Sequence, residues 1–187
     1  MYKTVVFDLD GTLLNTLTDL ADAGNRLCRK YGWPTHERQA YRYFVGNGIP
    51  KLVERLAPAD QRTPAVLEAA LADFKRDYGQ HLRDTTAPYP GIPEMLAKLK
   101  ANGVQLAVFS NKADALAKEV VKDYFGTQYF TIVRGQMTGV APKPAAEGTN
   151  ALLQALHADP ASTLYVGDSN VDVETAHNAN PVSYTHL

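Results

Sequence analysis

A chain of 187 residues with 45 % hydrophobic content can bury one substantial core and a small accessory unit. Its net charge of −1, without long runs of like charge, argues against a nucleic-acid surface or an anionic-membrane surface. The apolar N-terminus is too short for a signal peptide, and no stretch approaches the length of a membrane span. The single cysteine, Cys28, cannot form an internal disulfide and fits a packing role in a reducing cytoplasm.

Val5-Val6-Phe7 reads as a strand that runs into Asp8-Leu9-Asp10-Gly11-Thr12. If the strand continued through both carboxylates, its period of two would put them on one side. Gly11 permits the tight turn and close backbone approach that a phosphate or metal requires. One carboxylate can then act as nucleophile and metal ligand while its neighbour handles protons. Taken alone, the pentapeptide also reads as an acidic turn closing a buried strand.

Leu17, Leu20, Ala21, Cys28 and Tyr31 next recur at helical spacing, with Gly24 a weak point on the same face. Thr16 and Asp19 have the spacing of a capping box. Trp33 beside Pro34 suits a loop anchor better than a ligand-stacking ring. Phe44-Val45-Gly46-Asn47-Gly48 precedes a helix expected near Pro50, and backbone N–H groups at a helix start suit a carboxylate. Lys51 and Arg55 either meet such a carboxylate or line a solvated face. Leu67, Leu71, Phe74 and Tyr78 form a second helical stripe. No strand-like alternation interrupts this region, so residues 15–85 read as an all-helical insert.

The core resumes at Tyr89-Pro90-Gly91 with a helix face of Ile92, Met95, Leu96 and Leu99, stopped at Gly103. Gln105–Phe109 reads as a buried strand delivering Ser110 and Asn111, and Lys112 behind them either touches substrate or, the better reading on general grounds, is a solvated loop charge. Lys143 lies in Pro142-Lys143-Pro144 before another helix. Leu164-Tyr165-Val166 is a short strand ending in Gly167-Asp168-Ser169-Asn170-Val171-Asp172. Open α/β sheets bind ligands at the carboxyl ends of their strands, so these aspartates, serine and lysine are placed to converge. Each alone has a plainer reading as a cap, a loop charge or a turn residue. The five histidines show no metal-ligand spacing.

In this order the segments VFDLDGTLL, VFSNK, PKP and YVGDSNVD resemble the four motifs of the haloacid dehalogenase superfamily, in its phosphatase branch. The resemblance runs from about Tyr2 to Asn180, and the glycine stretch is most similar to that of phosphoglycolate phosphatases. It implies an α/β fold: a Rossmann-like parallel sheet core of residues 1–14 and 86–187, with residues 15–85 as helical cap. It implies a magnesium-dependent phosphatase acting on a small phosphate ester, with 2-phosphoglycolate the leading substrate. Asp8 would be the nucleophile that carries an aspartyl-phosphate, and Asp10 the acid and base. Ser110 and Lys143 would contact the phosphate. Asn111, Gly46, Asn47 and Gly48 would bind substrate. Asp8, the Asp10 carbonyl and Asp168 would hold Mg²⁺, with Asp172 orienting Lys143 or a metal-bound water.

A pyrophosphatase, a sugar phosphatase or a β-phosphoglucomutase-like mutase is the enzymatic alternative, and a phosphoacceptor or scaffold domain the non-enzymatic one. Asp10 argues against a dehalogenase, which lacks the second aspartate. Asn15 departs from the acidic residue common at its position and bears on the hinge of the cap. Pro181–Leu187 stand where this fold normally adds another strand and helix. The tail also resembles translated sequencing-adapter read-through, so the C-terminal end is expected to be truncated, with strand 164–166 underprotected; a genuine short strand is the alternative.

Overall fold

Val5, Val6 and Phe7 are all buried, as in a strand covered on both faces of a parallel sheet. The computed structural model describes residues 2–185. Along the chain, β1 (Thr4–Phe7), β2 (Leu14–Asn15), α1 (Leu17–Tyr31), α2 (Tyr41–Phe44), α3 (Ile49–Leu56), α4 (Pro64–His81) and β3 (Ala87–Pro88) come first. They are followed by α5 (Ile92–Ala101), β4 (Gln105–Ala113), α6 (Asp114–Phe125), β5 (Ile132–Gln136), α7 (Ala146–Ala155), β6 (Thr163–Gly167), α8 (Asn170–Ala179) and β7 (Val182–Thr185). The chain divides into two units, Met1–Leu14 with Pro88–Leu187, and Asn15–Ala87.

The first unit holds a parallel sheet of order β5-β4-β1-β6-β7. From β1 the chain builds outward through β4 and β5, then returns to β6 on the other side of β1. The order therefore reverses between β1 and β6, and the crevice at their carboxyl ends is where such sheets place ligands. Phe7 is in register with Val108 of β4 and Val166 of β6, so the residues that follow these three emerge together. Val6, Ala107, Phe109 and Tyr165 pack with Leu152, Leu153 and Leu156 and with Ala176 of α8. Gly148 of α7 is required there, since a Cβ would fall 2.5 Å from the Phe109 ring.

Two expectations change in this unit. β1 stops at Phe7, so Asp8 and Asp10 are not related by strand alternation. The backbone N–H groups of Leu13 and Leu14 both donate to the Leu9 carbonyl, and Asp10 stands on that turn. The tail is not a bare edge either. Val182–Thr185 pairs in parallel with Leu164–Gly167, so β6 has a backbone partner on that side. His186 and Leu187 lie outside the described residues.

The second unit is built from α1–α4. Leu20, Leu27 and Cys28 of α1 are buried, as are Ala70, Phe74 and Tyr78 of α4, and the two helices pack together. Arg26 clasps both carboxylate oxygens of Asp77 at 2.7–3.0 Å. Gly24 is a site of close approach rather than a defect, because a Cβ there would fall 2.5 Å from the Tyr41 hydroxyl. The expected capping box is absent, and Thr16 makes no side-chain cap bond. Asp19 is instead buried and accepts hydrogen bonds from the backbone N–H and hydroxyl groups of both Thr85 and Thr86, at 2.5–3.2 Å. This clasp joins the start of α1 to the segment leading out of the unit, beside the two-stranded pairing of β2 with β3.

Asp19→Ala would take this acceptor from the buried Thr86 N–H and hydroxyl, while exposed Thr85 can turn to water. Each unmet buried group costs about 1–3 kcal/mol. We expect a fall in melting temperature of roughly 5–10 °C, at ~2–4 °C per kcal/mol for a chain of this size. Differential scanning calorimetry checks it, and an unchanged transition would show that the clasp is dispensable.

Candidate active site

Asp8 follows β1 directly, and its backbone N–H donates to the Val166 carbonyl at 2.8 Å, which fixes it beside β6. Gly11 has φ of 90°, and a Cβ there would fall 2.2 Å from Asp168 Oδ2. Glycine at this position thus satisfies both the turn and the space needed by the Asp168 carboxylate. The Thr12 hydroxyl then donates to Asp168 Oδ1 at 2.9 Å, tying the first motif to the fourth.

Lys143 is buried, and its ammonium stands 2.9 Å from Asp8 Oδ1 and 2.7 Å from Asp172 Oδ1. It also donates to the Tyr165 hydroxyl at 3.2 Å and the Phe109 carbonyl at 3.3 Å. Asp172 is itself held by α8. Its Oδ2 accepts from the Ser169 hydroxyl and backbone N–H, the reciprocal capping box of that helix. Gly167 makes room for it, since a Cβ there would fall 2.2 Å from the Asp172 carboxyl carbon.

Asn111, expected to contact substrate, also contacts the protein. Its amide donates to the Lys143 carbonyl at 3.2 Å and accepts from the Lys143 N–H at 2.8 Å, pinning the lysine's backbone. Ser110 is buried at the same strand end, its hydroxyl accepting from the Lys112 N–H at 3.2 Å. Lys112 is a correction. Its side chain is only 3 % exposed, and its ammonium lies 3.0 and 3.2 Å from the two oxygens of Asp10. The strand does not end at Phe109 but runs on through a register shift to Ala113, and this carries Lys112 inward.

Carboxylate oxygens of Asp8, Asp168 and Asp172 all lie within 4.8 Å of one another. Three carboxylates face the single ammonium of Lys143, while Asp10 is matched by Lys112. Burial is the main reason the Asp8 carboxyl is pushed up to about 7, against the opposing pull of Lys143. Burial also raises Asp168. Burial alone would lower Lys143, but Asp8, Tyr165 and Asp172 hold it well above the ordinary lysine value. An excess of buried negative charge on hard oxygen donors fits a divalent cation such as Mg²⁺. Asp172, committed to Lys143 and to its own helix cap, is the least available of the three.

The model of the haloacid dehalogenase-like hydrolases matches residues 5–184. The chain belongs to this family. Among relatives, it is 32 % identical over 180 residues to the phosphoglycolate phosphatase of Thiobacillus denitrificans, covering 95 % of this chain and 79 % of that one. It is 33 % identical over 184 residues to the phosphoglycolate phosphatase of Neisseria meningitidis, covering 97 % and 78 %. A solved structure from Lactobacillus delbrueckii subsp. bulgaricus superposes with a TM-score of 0.92 at 28 % identity, over 98 % of this chain and 85 % of the other.

In this hydrolase the glycine stretch belongs to the second unit. Gly46 and Gly48 have φ of 99° and 84°, and Arg55 donates to the Phe44 carbonyl at 2.8 Å and to Asn47 Oδ1 at 2.9 Å. Arg55 therefore shapes the loop from within, while Lys51 pairs with Glu54 on the surface. Thr12, Lys112 and Tyr165 were not marked by the sequence as site residues. Only Tyr165, a hydroxyl inside an apolar strand, carried a usable signal. Among the described residues no helix is long and apolar enough to cross a membrane.

The raised Asp8 value sets a pH dependence. A carboxyl whose folded pKa exceeds its unfolded value favours folding below about 3.8, and that contribution is lost as pH rises through about 7. A cation at this cluster competes with the proton and offsets the lost contribution. MgCl₂ should therefore raise the melting temperature by several degrees at pH 8 and by little at pH 5, read by thermal shift. Equal shifts at both values would show that Asp8 does not take part.

Proposed function

We propose that this hydrolase is a Mg²⁺-dependent phosphatase of small phosphorylated metabolites, with 2-phosphoglycolate first among them. The observation that carries the reading is the buried Lys143 ammonium 2.9 Å from Asp8 Oδ1, beside Asp168 at the reversal of strand order. Phosphoryl transfer asks mainly for positioning and charge neutralisation, and this arrangement supplies both.

Asp8 attacks phosphorus in line, forming an O–P bond as the ester O–P bond breaks. Asp10 gives its proton to the departing oxygen. It then takes a proton from the water that hydrolyses the aspartyl-phosphate, restoring Asp8 and releasing phosphate. Ser110 donates to a phosphoryl oxygen, and Lys143 neutralises the charge shared by Asp8 and the phosphoryl group. Asp172 and Tyr165 orient Lys143, and Asn111 fixes its backbone. Held by Asp8, Asp168 and the Asp10 carbonyl, Mg²⁺ would draw electron density from the phosphoryl oxygens. Residues 15–85 act as a cap, with backbone N–H groups of Gly46-Asn47-Gly48 receiving the substrate carboxylate. Support for glycolate comes from the relatives that bear the name phosphoglycolate phosphatase. A phosphoacceptor domain would need neither Asp10 nor the helical insert. The composition and single cysteine suit the cytoplasm.

Assay of a phosphate-ester panel with Mg²⁺ tests the substrate class. Asp8→Asn should reduce turnover to background with the melting transition retained, and near-normal turnover would remove the covalent mechanism. Asp10→Asn should lose about 10²–10⁴-fold, the usual weight of general acid–base assistance. Gly48→Val, at a φ of 84°, should raise KM for 2-phosphoglycolate more than for p-nitrophenyl phosphate. Equal effects on the two esters would take specificity away from the glycine stretch.

A further inference from the structure

We infer that Lys112 is the positioning residue for Asp10: its buried ammonium meets the Asp10 carboxyl group and fixes the rotamer from which that group, when protonated, reaches the departing oxygen. The inference rests on the proposed role of Asp10 as proton donor.

Three observations carry it. Asp10 stands on the turn after β1 rather than on the strand, where backbone bonds from Thr12, Leu13 and Leu14 to Leu9 and from Gly11 to Leu14 fix its main chain but not its side chain. Its side chain is 23 % exposed, so without a partner it would be free to change rotamer. Lys112, by contrast, comes from β4 and is nearly enclosed. A lysine is seldom buried this deeply unless its charge is matched, and Asp10 supplies the match at 3.0 and 3.2 Å. Finally, the backbone that carries Lys112 is itself confined. A Cβ on Gly135 of β5 would fall 2.4 Å from the Lys112 carbonyl oxygen, and the Gly135 N–H donates to Asp114 Oδ1 at 3.0 Å. The Asp10 carboxylate is therefore held from β4, by a cation distinct from the one that meets Asp8.

Misaiming a proton donor hurts an ester in proportion to its need for protonation. The glycolate oxygen departs poorly as an anion, whereas 2,4-dinitrophenolate departs readily without a proton. A defect in stability or in phosphate binding would hit both esters alike. The test measures the first turnover of 2-phosphoglycolate, p-nitrophenyl phosphate and 2,4-dinitrophenyl phosphate by rapid quench, with Mg²⁺, so that only the ester-cleaving step is read. It compares the wild type with Lys112→Met, Asp10→Asn and the double variant.

Lys112→Met should lose on the order of 10²-fold with 2-phosphoglycolate, less with the p-nitrophenyl ester, and only about threefold with the dinitrophenyl ester. KM should change little. Adding Lys112→Met to Asp10→Asn should cost almost nothing further, because Lys112 acts through the carboxylate already disabled. Should the methionine variant melt below the assay temperature, Lys112→Gln takes its place, retaining a hydrogen-bond donor. Selective loss in Asp10→Asn with a uniform loss, or none, at Lys112 overturns the inference and leaves the role of Asp10 standing. A uniform loss in Asp10→Asn itself overturns the proton-donor reading, and this inference falls with it.

Discussion

The Lys143 ammonium, enclosed by Asp8, Asp172, Tyr165 and the Phe109 carbonyl, is the constraint on which the catalytic unit depends. A buried charge is tolerated only where its partners are fully arranged, and removing one partner costs more than the pair contributes. Several otherwise odd choices follow from this requirement. A tyrosine interrupts the apolar strand β6, and Gly167 stands where any Cβ would collide with Asp172. The helix cap of α8 is built from the same aspartate that holds the lysine. Strand end, glycine and helix start are parts of one charge cage.

A second cation divides the labour. Lys143 is spent on Asp8 and on Asp172, whereas Lys112 is spent on Asp10. Two carboxylates thus see different partners, although only one residue separates them in sequence. What remains uncompensated is concentrated at Asp8 and Asp168, the oxygens best suited to a hard cation.

The parallel sheet was legible because its strands are short apolar runs ending in charged or small residues, and the resemblance of four motifs fixed their order. The helical insert was legible from its two apolar stripes. The errors were local. Thr16 and Asp19 have capping-box spacing, but Thr85 and Thr86, more than sixty residues away, supply better donors for Asp19. Lys112 looked solvated because its partner, Asp10, lies on the turn after another strand, 102 residues away in sequence. β5 escaped notice because Arg134, Gly135 and Gln136 break the apolar pattern that marks the other strands. The pairing of Val182–Thr185 with β6 was open in the sequence, where a short strand stood as the alternative. In each case the deciding contact is long-range.

The pairing of β2 with β3, with the Tyr89 N–H donating to the Leu13 carbonyl at 3.2 Å, bears on how the chain reaches this fold. Thr4 and Gln105 are neighbours in the sheet yet 101 residues apart in sequence. Closing so long a loop before any contact rewards it slows folding. If Asn15–Ala87 folds first, its two ends already run side by side, clasped by Asp19. The search by β4 for β1 then spans only the short connections on either side of the insert. The inserted unit would thereby work as a splice, turning the pairing of β1 with β4 into a nearly local one.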